Sequence, residues 1–381
     1  MKVIVGIPSY NNADTIGYVV RQAAEGLKKY FGGGLIINSD GGSSDGTRDV
    51  VMKTPVPEGV EVRSLVYRWP ISGKGSAMKE VLEIAKDEGA DAVVFVDSDL
   101  RSITPEWIYK LAKPLEEGYH FVAPLYLRHK YDGTITNNIA YPMTASLYGY
   151  NIRQPIGGDF GISAKLIDTY LSDEEVWKSD VARFGVDIFL TTTAIAEGFR
   201  VTQAALGVKI HDPKDPAASL GPMFNQVVGT LFMLMQKYED NWRNVREIKP
   251  VPVFGEMEVR EPEPVKVSLD LLKEKARNLF EENKPILEKA LSKETFEEVT
   301  EALKTFEFDD VLWSHVLFDG AVAYKNGVLK NAEPLVALYF AKTADFVEKT
   351  RDMTTEEAEK LVLERAETFL KEKDYLLEKW Q

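Results

Sequence analysis

The sequence predicts an α/β fold with a mostly parallel sheet covered by helices on both faces, followed by an α-helical region. In the first half of the chain, short apolar strands alternate with segments that carry a helical stripe of apolar residues, which is typical of a parallel sheet. From about residue 268 onward, stretches rich in Glu, Lys and Leu repeat at the helical period. These stretches indicate several amphipathic helices packed as a bundle.

The elements of the first half follow in strand and helix order. KVIVGIPSY is the first strand, and residues 13–31 form a helix with a regular apolar stripe. The strands GLIINSD and VEVRSLVY precede a helix in GSAMKEVLEIAKDEG, which ends at Gly89. ADAVVFVDSD is the fourth strand, and TPEWIYKLAKPLEEG begins a helix with a Thr cap and Pro and ends it at Gly118. YHFVAPLYL is the fifth strand, and GVKIHDP ends a later strand.

The character of the sequence changes after about residue 215. GPMFNQVVGTLFMLMQKYEDNW predicts a helix, and the proline-rich, acidic stretch PVPVFGEMEVREPEPV indicates a linker or an extended arm. We therefore expect an α/β domain at residues 1–215, a helix and connecting arm at 216–262, and a helical domain at 263–381.

The composition excludes several classes of function. The 381 residues carry a formal net charge of -14, which argues against nucleic acid and anionic membranes as partners. Without cysteine, the chain has neither disulfides nor thiolate metal sites. The apolar run of the first residues is too short for a signal peptide, and the most apolar window, VVGTLFMLM, has half the length of a membrane span. We expect a cytoplasmic protein, and the many Glu and Lys suit a thermophilic source.

Asp97 and Asp99 follow the most hydrophobic strand, in VVFVDSDLRS. Ligands of parallel sheets bind at the carboxyl ends of the strands, and residues two apart in an extended segment point the same way. Two carboxylates placed so close together repel each other unless a cation lies between them. The pair therefore predicts either a Mg²⁺ or Mn²⁺ site or, alternatively, a solvated turn. His211, a polar residue at a strand end, would complete the metal shell, although a lone His is more often structural.

Three glycine-containing segments provide further candidate contacts. INSDGGSSDGT places Asp40 at the end of the second strand, where its carboxylate can hydrogen-bond a base or ribose. ISGKGSAMK opens a helix whose free N–H groups, with Lys74, suit an anion such as phosphate. In RQPIGGDFGIS, Gly157 and Gly158 permit close backbone approach to a sugar, just before Asp159. Taken singly, the first segment is explained equally well as a Gly/Ser loop, and the second about equally well as a capping loop.

The combined pattern is more specific than any of its members. The segments IPSYNN, SDGGSSDGT, GKGSAMK, DSD, QPIGGDF, FGVD and KIHDP, in that order, resemble the nucleotide-sugar glycosyltransferases of GT-A fold. More specifically, the sequence resembles the group that contains mannosylglycerate synthase, glucosylglycerate synthase and glucosyl-3-phosphoglycerate synthase. The resemblance covers about residues 1–240. The C-terminal region agrees with mannosylglycerate synthase in length and helical character only.

The resemblance implies a retaining transfer of mannose or glucose that makes a compatible solute. The donor would be a nucleotide-diphospho-sugar such as GDP-mannose or GDP-glucose, the acceptor D-glycerate or 3-phosphoglycerate, and the cofactor Mg²⁺ or Mn²⁺. The residues implied for the nucleotide-sugar are Pro8, Tyr10, Asp40, Lys74, Asp97, Ser98, Gly157, Gly158 and Asp159.

The remaining implied roles concern the metal, the acceptor and the reaction. The metal would be held by Asp97, Asp99 and His211. Arg128 and Thr136, in LRHKYDGTIT, would bind the acceptor carboxylate, since a guanidinium fork matches that group. The residues closest to the chemistry would be Asp187, Lys74 and Arg128, with Asp187 near the sugar hydroxyls.

Two other functions remain open from the sequence. One is an inverting transferase that acts on a polyprenyl phosphate, for which Asp187 is the evident general base. The other is a non-catalytic protein that binds nucleotide-sugars. The helical domain would pack on the catalytic domain, form a homodimer or shape the acceptor pocket.

Overall fold

The structure, a computed structural model, describes residues 1–211 and 220–381. The chain forms two compact units, and neither is continuous in sequence. The first unit consists of Met1–Leu127, Ile152–Asp212 and Val251–Glu263, and the second of Arg128–Asn151, Pro213–Pro250 and Pro264–Gln381. The predicted domains are contiguous and therefore differ from these units, and their boundaries at 215 and 262 stay a prediction.

A mixed sheet forms the centre of the first unit. Within the described residues, the strands are β1 (Val3–Ser9), β2 (Gly34–Asp40), β3 (Val60–Val66), β4 (Ala92–Phe95), β5 (Phe121–Leu127), β6 (Tyr150–Asn151), β7 (Phe160–Ser163), β8 (Val201–Val208), β9 (Lys249–Pro250) and β10 (Val253–Phe254). Eight of them pair in the order β10-β8-β5-β7-β4-β1-β2-β3. All neighbours are parallel except β7, which is antiparallel to both β4 and β5. The strands β6 and β9 form a separate parallel pair in the second unit.

Helices cover both faces of this sheet and build most of the second unit. In the described ranges, the α-helices are α1 (Ala13–Phe31), α2 (Thr47–Lys53), α3 (Lys74–Asp87), α4 (Pro105–Glu116), α5 (Tyr141–Tyr148), α6 (Ala164–Leu171), α7 (Val186–Ala196), α8 (Gly221–Lys237), α9 (Glu239–Trp242), α10 (Leu269–Ala290), α11 (Lys293–Thr305), α12 (Asp310–Lys325), α13 (Val336–Thr350), α14 (Thr355–Lys371) and α15 (Lys373–Lys379). A π-helical turn, Thr136–Ala140, leads into α5. The helices α1, α2 and α4 pack together on one face of the sheet, and α3, α6 and α7 on the other.

The predicted fold class, an α/β sheet with helices on both faces and a C-terminal helical region, is confirmed. Apolar residues of α1 and α4 form one core with the alternate inward residues of β1, β4, β5 and β8. The strand β7 was not predicted from the sequence, because its four residues lie between a glycine loop and α6 and are too few to show a period.

Residues 128–151, which the sequence assigns to the first domain, belong instead to the second unit. The reason is apolar burial, since α5 is buried at every position. Tyr141 and Ala145 form a hydrophobic cluster with Phe346 of α13 and with residues of α14.

None of the described helices is long and apolar enough to span a bilayer.

A buried ionic network joins α12, α13 and α14 within the second unit. The Lys342 ammonium lies 2.8 Å from Asp310 and 3.1 Å from Asp345, and burial lowers the pKa of this lysine. The Arg365 guanidinium contacts Asp310 at 2.7 Å, and Lys349 contacts Asp345 at 2.8 Å. The two carboxylates therefore fix the relative positions of three helices of the bundle.

Replacing the buried member of this network is expected to cost far more than replacing the exposed one. Lys342→Met should lower the free energy of unfolding by about 3 kcal/mol, because it breaks buried ion pairs. Lys349→Met, which removes a side chain that is 49% exposed from the same Asp345, should cost less than about 1 kcal/mol. Urea denaturation of both variants measures the difference, and equal losses would contradict it.

Candidate active site

Several strand ends converge at one edge of the sheet in the first unit. The strands β1 and β4 are parallel, and β8 is parallel to β5. Because β4 and β5 are both antiparallel to β7, the carboxyl ends of β1, β4, β5 and β8 share this edge. Because β7 runs the opposite way, it begins there, with Phe160 opposite Phe95 at the end of β4. The loop before β7 therefore lies next to the loop after β4. Ligands of α/β sheets bind at the carboxyl ends of the strands, so this edge is the expected place for a ligand site.

Asp97 is held between two lysines at this edge. The Lys74 ammonium, at the first position of α3, lies 2.9 Å from Asp97 Oδ1. The Lys209 ammonium, just after β8, lies 2.8 Å from Asp97 Oδ2. Lys74 also lies 3.3 Å from Asp187 Oδ1, at the start of α7. The structure thus brings together Lys74, Asp97 and Asp187, three residues that the sequence predicted separately.

Asp159 completes this cluster through contacts with Asp97 and Lys209. Its carboxylate is fully buried, and Oδ1 accepts a hydrogen bond of 2.8 Å from the Asp97 backbone N–H. Oδ2 accepts from the Tyr126 hydroxyl and lies 3.0 Å from the Lys209 ammonium. Lys209 donates in addition to the Gly157 carbonyl at 2.8 Å, so this one lysine joins the loops after β4 and before β7.

The charges in the cluster shift the three carboxyl groups in different directions. Burial works to raise the pKa of Asp97, but the charges of Lys209 and Lys74 outweigh it and hold the pKa well below its usual range. Burial raises the pKa of Asp159, with Lys209 opposing it, and also raises the pKa of Asp187, with Lys74 opposing it. Burial works to lower the pKa of Lys74, but Asp187 and Asp97 raise it above its ordinary value. The lysines therefore favour the charged form of Asp97, whereas burial favours the protonated forms of Asp159 and Asp187.

The paired glycines are required by close packing. A Cβ atom on Gly158, whose φ is +89°, would lie 2.3 Å from Asp97 Oδ2. A Cβ atom on Gly157 would lie 2.3 Å from the Pro124 ring. Because glycine has no Cβ atom, the backbone of the loop before β7 can approach the Asp97 carboxylate closely.

Asp99 differs from Asp97 in its surroundings. It is half-buried, and its side chain has neither a hydrogen bond nor an ion pair among residues 1–211 and 220–381. The loop that carries it is tied to the segment after β8, since Arg101 donates from its backbone to the Ile210 carbonyl at 2.8 Å and from Nη2 to the His211 carbonyl at 3.1 Å. In the described part of the chain, no three His, Asp or Glu side chains are arranged to hold a metal ion.

The loops after β1 and β2 interlock beside this cluster. Asp40 is fully buried, and its carboxylate accepts hydrogen bonds from the Ser9 hydroxyl and from the backbone and hydroxyl of Ser43. In this structure Asp40 shapes its own loop, and its contact with a base stays a prediction. Tyr10, by contrast, is 65% exposed, and Pro8 lies one residue before the end of β1. The Ser98 hydroxyl donates to Asn12 at 2.8 Å, which ties the loop after β4 to the start of α1.

The predicted acceptor residues lie in the second unit. Arg128 follows β5 directly in the chain, and its guanidinium makes a bidentate ion pair with Asp132, at 2.8 and 2.9 Å. Thr136 is buried in the π-helical turn. The acceptor role of both residues stays a prediction.

Lys209 is the site residue that the sequence analysis missed. It stands in GVKIHDP, beside the His211 that drew attention to this segment. The signal was available, because a lone charged residue after an apolar strand, at the ligand edge of the sheet, needs a partner of opposite charge. Lys214, which the sequence offers with His129 and Lys130 as a source of positive charge for a phosphorylated acceptor, lies outside the described residues.

Comparison with known families decides what kind of domain surrounds this site. Residues 4–171 match the model of the glycosyl transferase family 2. These residues form a glycosyltransferase domain. The matched residues include the strands β1 to β7, and they carry Lys74, Asp97, Asp99 and Asp159.

Three curated proteins show how similar this chain is to named enzymes. The chain is 29% identical over 246 residues to glucosyl-3-phosphoglycerate synthase of Mycolicibacterium smegmatis, an alignment that covers 60% of this chain and 76% of the relative. It is 26% identical over 255 residues to the enzyme of that name from Petrotoga mobilis, covering 62% and 74%. It is 27% identical over 134 residues to mannosylglycerate synthase of Rhodothermus marinus, covering 34% and 33%.

A solved structure of Mycobacterium tuberculosis glucosyl-3-phosphoglycerate synthase, in complex with Mn²⁺, UDP and phosphoglyceric acid, is also similar. The sequence identity is 27% and the TM-score 0.48, and the match covers 61% of this chain and 78% of that one.

Substitution of Gly158 tests the packing beneath Asp97. Gly158→Ala should lower glycosyl transfer about 100-fold, because the new Cβ displaces the Asp97 carboxylate and with it both lysines. Gly198→Ala is the matched control, since Gly198 also has a positive φ, of +74°, but no atom lies within 4 Å of the added Cβ. Both variants carry the backbone strain of about 1–2 kcal/mol, so only the packing differs. Equal activities of the two folded variants would contradict this account.

Proposed function

We propose that this protein is a metal-dependent, retaining hexosyltransferase that moves mannose or glucose from a nucleotide-diphospho-sugar to D-glycerate or 3-phosphoglycerate. The observation that supports it best is the cluster of Lys74, Lys209, Asp97 and Asp187 at the ligand edge of a glycosyltransferase domain. The names of the curated relatives, which are glucosyl-3-phosphoglycerate and mannosylglycerate synthases, support the choice of acceptor.

In the proposed reaction the bond between the sugar C1 and the diphosphate oxygen breaks, and a bond forms between C1 and the acceptor hydroxyl oxygen. The acceptor attacks from the side of the leaving group, and its proton passes to the departing phosphate oxygen. The transition state is oxocarbenium-like, so the protein contributes mainly position and charge. Lys74 places an ammonium group where negative charge grows on the diphosphate, and Asp187 orients the sugar hydroxyls.

The residues present fit a divalent cation in part. Asp99 offers a half-buried carboxylate without a protein partner in the described ranges, and the segment of His211 is tied to the same loop. Asp97, whose two oxygens both face lysines, is the weaker candidate for direct ligation. We propose that Asp99 and His211 hold Mg²⁺ or Mn²⁺, which when bound neutralises charge on the leaving diphosphate.

A matrix of donors and acceptors tests the proposal. Purified protein with Mg²⁺ should transfer sugar from at least one of GDP-mannose, GDP-glucose, ADP-glucose and UDP-glucose to glycerate or 3-phosphoglycerate. A chelator should abolish the transfer, and Mg²⁺ or Mn²⁺ should restore it. Absence of turnover with every pair would refute the proposal, and nucleotide-sugar binding without turnover would indicate a non-catalytic binder.

The stereochemistry of the product separates the proposal from the inverting alternative. Proton NMR of the product should show the anomeric configuration of the donor. An inverted product, or transfer to a polyprenyl phosphate in a parallel reaction, would instead support an inverting transferase with Asp187 as base.

Asp99→Asn should lower turnover at least 100-fold, because an amide loses the charge that a divalent cation requires. Asp91→Asn is the matched control, since Asp91 lies at the opposite end of β4, where its carboxylate accepts from the Lys2 backbone. This control should retain near wild-type turnover. If both variants were equally active, Asp99 would not be a metal ligand.

The unphosphorylated acceptor is expected to be the better substrate. Lys130, beside Arg128, donates its ammonium protons to carbonyls of its own unit, and His129 Nδ1 accepts the backbone N–H groups of Tyr131 and Val265. In the described part of the chain, the Lys130 ammonium and His129 Nδ1 are therefore engaged within their own unit. We expect kcat/KM for D-glycerate to exceed that for 3-phosphoglycerate about tenfold, the effect of one charged contact. The two initial-rate titrations measure this ratio, and the reverse preference would place a phosphate-binding group elsewhere.

A further inference from the structure

The loop that carries Arg128 is built into the helical unit, although it lies inside the family match. Residues 128–151 fall within residues 4–171, yet their contacts place them with α8 to α15 in the second unit. The segment is held at several points along its length. Thr134 shares a hydrogen bond of 2.6 Å with Tyr339 of α13, and Trp313 of α12 donates to the Asn138 carbonyl at 2.7 Å.

Lys130 makes the most concentrated of these contacts. Its ammonium donates to the carbonyl oxygens of Thr350, Arg351 and Met353, at 2.5, 3.1 and 2.6 Å. These carbonyls lie at and just after the end of α13, where helical carbonyls have no partner within the helix and where the helix dipole favours a positive charge. Lys130 therefore caps α13 from a loop more than 200 residues away in the chain.

Tyr131 strengthens the same attachment. Its hydroxyl donates to the Val347 carbonyl at 3.2 Å, and its ring packs edge-on against Phe346, with centroids 6.5 Å apart. The Asp132 N–H donates to the His129 carbonyl at 2.8 Å, which closes a turn that contains Lys130 and Tyr131. Because Asp132 also binds the Arg128 guanidinium, the position of Arg128 follows from the position of this turn.

We propose that Lys130 is a positioning residue for the acceptor: by capping α13 it fixes the turn that sets Arg128. The C-terminal helices would then determine acceptor affinity, while donor binding depends on the first unit. This inference rests on the proposed function, in which Arg128 binds the acceptor carboxylate. In this proposal the helical unit affects acceptor binding, in addition to any structural support that it provides.

The test compares the Michaelis constants of the two substrates. Lys130→Met should raise the KM for the acceptor at least tenfold and leave the KM for the nucleotide-sugar within twofold of wild type. Lys130→Arg, which keeps a donor for the carbonyls, should recover most of the acceptor affinity. Lys349→Met, which removes an exposed lysine from α13, should leave both constants unchanged. Parallel changes in both constants, or an unchanged acceptor KM, would overturn the proposal.

A second readout is independent of activity. In Lys130→Met, amide hydrogen exchange should accelerate in residues 128–136 and at the end of α13, and stay unchanged in β1 and β4. Unchanged exchange in residues 128–136 would also overturn the proposal. Tyr131→Phe, which removes one hydroxyl and keeps the ring, should raise the acceptor KM about threefold even if Lys130→Met folds poorly.

Failure of the proposed function is distinguishable from failure of this inference. If wild-type protein transferred sugar to neither glycerate nor 3-phosphoglycerate, the proposed acceptor would be wrong. Wild-type turnover with an acceptor KM that Lys130→Met leaves unaltered would refute the positioning role alone.

Discussion

The candidate site depends on the contacts of two lysines with three carboxyl groups, of which Asp159 and Asp187 are buried and Asp97 is half-buried. Lys209 and Lys74 approach Asp97 from opposite sides, and each also contacts a second carboxylate, Asp159 or Asp187. These residues come from loops next to three different strands and from the first turns of α3 and α7, so the charges hold these segments together. Without the lysines, charged carboxylates would repel one another in a partly buried site, where water screens charge less than it does at the surface. In the proposed function, the same lysines would provide positive charge for the diphosphate of the donor.

Much of this edge could be predicted from the sequence, because local patterns determine it. Asp97 and Asp99 stand out since an apolar strand ends at them, and Lys74 stands out since glycines precede a helix there. Asp187 could be located because it lies in the first turn of a helix. These residues depend on strand ends and helix starts, which periodicity shows, and the topology of a parallel sheet then brings them to one edge.

The remainder depended on contacts that local patterns do not encode. Lys209 matters because its ammonium reaches Asp159 and the Gly157 carbonyl, both about 50 residues earlier in the chain. The antiparallel β7 is too short to show a period, yet it decides that the glycine loop lies under Asp97. The membership of residues 128–151 in the helical unit follows from partners that lie about 200 residues later, such as Phe346. In each case, long-range packing decided what local sequence left open.

The placement of residues 128–151 also bears on how the chain folds during synthesis. The apolar helix α5 emerges from the ribosome well before α13 and α14, against which its side chains are buried. Until those helices have been made, the growing chain carries a stretch of apolar surface without its partners, in the middle of a forming sheet. Contacts of such high sequence separation slow folding and leave intermediates prone to aggregation. The ionic network around Lys342 and the cap that Lys130 places on α13 close late, because they form only after α13 and α14 have been synthesised.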